Sequence, residues 1–246
     1  MNVLVSRRSW LVAPCVFALG AAVLLAVWSA MAPDALMRAF DADGKSPVEL
    51  MTLPLFALLA PLVWLCPPTS GPRSRQCFWS AVITMLAFMA LVREQDWHKD
   101  LVAWLWPDVV ASFKGTVFKM RFLKSSAVPL APKLFVGSFF ALFFAVVALP
   151  LVKWFVALFR GFFRFHPVCW TMAFFGGTSV MVLTADRLPA QLRHASVALS
   201  DSTLALLKAF EEGGEAMMAL FALLAVLQAH AIYSPDAGGE AWRDRA

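Results

Sequence analysis

The stretch LVAPCVFALGAAVLLAVWSAMA, Leu11 to Ala32, carries no charged residue. A helix over it would be about 33 Å long at 1.5 Å per residue, enough to cross a hydrocarbon layer of about 30 Å. Arg7 and Arg8 precede it, as basic residues precede a secretory leader. The apolar run outlasts the core of a leader, usually about 7–15 residues, so it reads as a first membrane helix rather than a cleaved segment.

Further apolar runs follow. The second starts at Pro47 and reaches Leu65, with Pro54 and Pro61 inside it to kink the helix and Cys66-Pro67-Pro68 to end it. The third, Phe78 to Val92, is short, and it crosses only if Arg93 and Glu94 sit at headgroup level or the bilayer thins around it. The fourth is Leu134 to Phe159 and the fifth Pro167 to Ala185, with Gly176-Gly177 permitting a bend or close packing. The sixth is Ala216 to Ile232, set off from Thr203–Phe210 by the patch Glu211-Glu212-Gly213-Gly214-Glu215.

This pattern predicts an all-α polytopic integral membrane protein of about six transmembrane helices. The expected organisation is a single helical membrane domain over 1–233 with a flexible polar tail at 234–246. Interfacial helices are expected in the connections 93–133 and 186–201. In the first of these, Phe113, Phe118 and Phe122 interleave with Lys114, Lys119, Arg121 and Lys124, which suits a segment lying in the headgroup plane.

Composition agrees. Of 246 residues 61% are hydrophobic and 15% charged, far from ordinary soluble usage. The net charge of +5 raises the possibility of nucleic acid as a partner. The basic residues lie in loops between apolar runs, however, where anionic lipid accounts for them, so no nucleic-acid partner is expected. The four cysteines have neither metal-type nor framework spacing. The loops 67–77 and 160–166 are basic without acids, which favours both termini in the cytoplasm, in a bacterial inner membrane. In that topology Glu49, the 94–98 cluster, Asp186 and the 211–215 cluster meet one membrane face.

Those acids are the main functional signal. Glu94 and His98 are four apart, as are Glu211 and Glu215, so each pair shares a helix face. Facing one another, the two pairs would form a shell for zinc, manganese or iron. Asp96 or Glu212 would then be the base that activates a metal-bound water. Lys119, Arg121, Arg187 and His194 are candidates for holding an anionic lipid headgroup. The plainer reading is that these charges simply belong at headgroup level, with Glu211 and Glu215 paired to Lys208 or Arg187. The leading expectation is a metal-dependent hydrolase or transferase acting on a lipid or lipid-linked substrate at the membrane face. The alternatives are a transporter or ion-conducting protein, and a non-catalytic accessory subunit that binds another membrane subunit.

Overall fold

The computed structural model describes residues 3–4, 6, 8–40, 46–69, 71–94, 97–113 and 120–233. Every regular element among them is helical: α1 (Val12–Ala30), α2 (Pro33–Phe40), α3 (Pro47–Leu65), α4 (Arg73–Glu94), α5 (Trp97–Leu105), α6 (Pro107–Ser112), α7 (Met120–Lys124), α8 (Leu130–Phe163), α9 (Pro167–His194) and α10 (Asp201–Tyr233). Four helical stretches are long and apolar enough to cross a membrane: Ser9–Ala30, Arg73–Val92, Pro167–His194 and Asp201–Tyr233. The third run, short when read from sequence, thus belongs to a helix of full length. The apolar parts of α3, Leu50–Leu65, and of α8, Leu130–Val146, are shorter.

The chain divides into two compact units, one of Met1–Phe88 with Ala157–Ala246 and one of Met89–Val156. In the first, α10 is the axis, packed against α9 most extensively and against α3, α2 and α1. Apolar clusters hold these contacts. Leu24, Leu36, Phe40, Ala205 and Ala209 join α1, α2 and α10, and Ala13, Met217 and Phe221 join α1 to α10, with Phe17 and Phe174 against them. Leu59, Val63, Ala87 and Val226 join α3, α4 and α10. Polar ties lie among them. The Trp28 indole N–H donates to the Ser202 carbonyl (3.1 Å), and the buried Ser80 hydroxyl donates to the Val63 carbonyl (2.9 Å). In the second unit, Val102, Val109, Phe122, Val128 and Val136 form a small core with Trp106 and Phe135 against it.

Two helices run further than their apolar stretches. α9 continues through Asp186 to His194, so the connection expected over 186–201 shrinks to the residues between His194 and Asp201. It ends in a Schellman turn, with Ser196 at φ 60°, Val197 N–H on the Leu192 carbonyl and Ser196 N–H on that of Arg193. α10 joins Thr203–Phe210 to the sixth apolar run, unbroken through Gly213-Gly214. Its start is capped, since the Ser200 hydroxyl accepts the Thr203 N–H at 3.2 Å. Tertiary packing on both flanks of the glycines then outweighs their poor helix propensity.

Candidate functional site

On α10 the acidic segment lies between the Ala205–Ala209 contacts with α1 and α2 and the Met217–Phe221 contacts with α1. Glu212, Gly213, Gly214 and Glu215 are all buried. Lys208 sits one turn earlier and reaches both neighbouring acids. Its Nζ is 2.8 Å from Glu212 Oε1 and 3.2 Å from Glu211 Oε2. The side chain of Glu212 is 7% exposed, against 18% for Glu211. Asp186 of α9 lies within electrostatic range of Glu211.

The glycines make this arrangement possible. A Cβ on Gly213 would come 2.5 Å from Leu24 Cδ2 of α1, and one on Gly214 would come 2.5 Å from Val182 Cγ2 of α9. A Cβ on Gly20 would meet the Met217 sulfur. The side chains of Leu24 in α1 and Val182 in α9 therefore pack directly against the glycine backbone of the acidic turn. Gly176 and Gly177 have no such role, because a Cβ on either would meet nothing within 4 Å.

Depth follows from register. Val182 is one turn before Asp186, and Leu24 is between one and two turns before the end of α1. The acidic turn therefore lies about 6–9 Å inside the ends of the apolar stretches. At the other end of the same helices an aromatic group collects, with Trp10 and Trp170 centroids 4.8 Å apart and Phe162 stacked on Trp170 at 4.6 Å. Such belts mark the membrane–water boundary.

That boundary contains a second polar group. The Thr171 hydroxyl donates to Gln228 Oε1 at 2.6 Å, and Gln228 Nε2 donates to the Ser9 carbonyl at 3.4 Å. His166, in the turn between α8 and α9, is 1% exposed. Its Nδ1 lies 3.6 Å from Cys169 Sγ, and its ring stacks on Tyr233. Phe165 makes the turn in the left-handed region at φ 57°, the position a glycine usually takes in a Schellman end. Burial lowers the His166 pKa from 6.5 to about 4. Between those values the unfolded chain binds a proton that the folded chain does not, so stability is full above pH 6.5 and falls as pH drops towards 4. The loss is on the order of 3 kcal/mol. His166→Gln is expected to flatten this acid limb in a pH series of thermal denaturation, and an unchanged slope would contradict the assignment.

Of the residues expected at a site, Glu211 and Glu212 are brought together by Lys208, and Glu215 is buried one turn on from Glu211. Arg187 and His194 are exposed on α9. Asp96 and Lys119 lie outside the described residues, as do the side chains of Glu49, Glu94, His98 and Arg121. Among the described residues no group of three or more His, Cys, Asp and Glu is placed to hold a metal ion. Sequence reading passed over Thr171 and Gln228. The available signal was an amide within an apolar run, which requires a hydrogen-bonding partner.

The helices define an all-α membrane protein. No family model, curated protein or solved structure matches the chain.

Proposed function

We propose that this chain is a six-crossing membrane carrier in which Glu212 and Glu215, with Lys208, take up and release a proton or small cation. One observation carries the reading: these carboxylates are buried in the bundle, between the apolar contacts of Ala205–Ala209 and those of Met217–Phe221. Ionisable groups are expensive there and are characteristic of proton and ion pathways. The layer of Met217, Phe221 and Ala13 below the acids suits a carrier that changes conformation rather than an open pore. In this reading α3 and α8 supply the two further crossings. Both termini then face the cytoplasm of a bacterial inner membrane, in keeping with the basic loops 67–77 and 160–166.

The test is flux in proteoliposomes, with proton, sodium and potassium gradients imposed in turn and each read by an entrapped dye selective for that ion. Wild type is expected to dissipate one of them, and Glu212→Gln or Glu215→Gln to slow it by roughly tenfold or more. Equal flux in wild type and both variants sinks the proposal. Elemental analysis of the same preparations separates the other readings. Stoichiometric zinc, manganese or iron that is lost in Glu211→Ala/Glu215→Ala would favour the metal-dependent hydrolase or transferase. Neither flux nor metal would favour an accessory subunit.

A further inference from the structure

The outer face of α9 changes character along its length in the order a phospholipid does. Val180 and Leu183 are 64% and 49% exposed, and with Thr184, Arg187 and Gln191 they line a shallow open groove of about 200 Å³ on the surface of α9. These positions recur at intervals of three and four, so they form one stripe of the helix, and His194 continues it one turn beyond Gln191. The apolar part of α9, Pro167 to Ala185, spans about 28 Å at 1.5 Å per residue. The aromatic group around Trp170 marks one membrane boundary, so Arg187 falls at the headgroup level of the other.

We infer that this stripe binds one anionic phospholipid, with its phosphate on Arg187 and Gln191 and an acyl chain along Leu183 and Val180. The guanidinium offers a planar pair of donors that matches two phosphate oxygens, and the Gln191 amide adds a third donor from the next turn. Thr184 is not a phosphate donor, because its hydroxyl already donates to the Val180 carbonyl at 2.7 Å. Two further charged groups define the edges of the site. Asp186 is turned about 100° around the helix from Arg187 and lies within range of Glu211. Arg193 lies off the stripe, and its Nε donates back to the Pro189 carbonyl at 3.3 Å. The apolar half of the groove argues for a lipid rather than a free phosphate. The assignment is independent of ion transport at α10.

The test is native mass spectrometry of the detergent-solubilised full chain, titrated with dioleoyl phosphatidylglycerol or dioleoyl phosphatidylcholine. Wild type is expected to retain one phosphatidylglycerol in preference to phosphatidylcholine. Arg187→Gln is expected to weaken that retention roughly tenfold or more, the effect of losing a charge-assisted hydrogen-bonding group. Arg193→Gln should leave it unchanged, and both exposed substitutions should leave the melting temperature unchanged. Inorganic phosphate at the same concentration should not displace the lipid. Equal weakening by the two arginine variants would reduce the effect to general basic attraction and overturn the site. Displacement by inorganic phosphate would overturn the lipid assignment.

Discussion

Lys208→Met is expected to be the most damaging single substitution in the acidic turn. It removes the ammonium held 2.8 Å from Glu212 and 3.2 Å from Glu211 while leaving both carboxylates in place. Removing one partner of a buried ion pair typically destabilises by about 3–5 kcal/mol, because the remaining charge is desolvated without compensation. The triple variant Lys208→Met/Glu211→Gln/Glu212→Gln should recover much of that loss, since it removes the stranded charges as well. Denaturant titration of the purified protein measures both. A single variant within about 0.5 kcal/mol of wild type, the range of ordinary surface changes, would mean the group is solvated and the buried-turn account is wrong.

The second large effect is expected at Gly214. Its missing Cβ would lie 2.5 Å from Val182 Cγ2, and a β-branched side chain has little rotamer freedom with which to withdraw. Gly214→Ala should therefore separate α9 from α10 and destabilise by about 1–3 kcal/mol. Adding Val182→Ala should restore part of the loss by removing the colliding methyl group. Gly213→Ala should be milder, since it meets the terminal methyls of Leu24, which can rotate away. Gly176→Ala serves as the opposite case: with nothing within 4 Å of its Cβ, alanine should be neutral or stabilising by up to about 1 kcal/mol. If all three substitutions behave alike in thermal denaturation, the close packing around the acidic turn is refuted.

These contrasts show what can be read from the chain and what cannot. Apolar runs are a local property, so the helices at Val12–Ala30 and Pro47–Leu65 were legible to within a residue or two. The i,i+3 and i,i+4 spacing that links Lys208 to Glu211 and Glu212 is legible for the same reason. Continuity of α10 through Gly213-Gly214 was not, because two glycines beside three acids resemble a break until Leu24 and Val182 are known to close on them. Nor was it legible that Gly176 and Gly177, which look equally suited to helix contact, face outward. Depth is a relation between helices. The acids therefore read as the end of a sixth span, and only the packing of Gly213 and Gly214 on Leu24 and Val182, within the apolar stretches of α1 and α9, shows what surrounds them. The pairing of Thr171 with Gln228 is likewise a tertiary fact, foreshadowed only by a lone amide in an apolar run.

A carrier role requires Glu212 and Glu215 to lie inside the membrane, and carbodiimide labelling of the protein in lipid vesicles tests this most directly. Dicyclohexylcarbodiimide, which partitions into lipid, is expected to modify Glu212 or Glu215, as read by peptide mass mapping. A charged, water-soluble carbodiimide should spare both over the same interval while modifying the exposed Asp201. If the water-soluble reagent modifies Glu212 and Glu215 as fast as Asp201, the acids sit in the aqueous headgroup layer and the carrier reading fails.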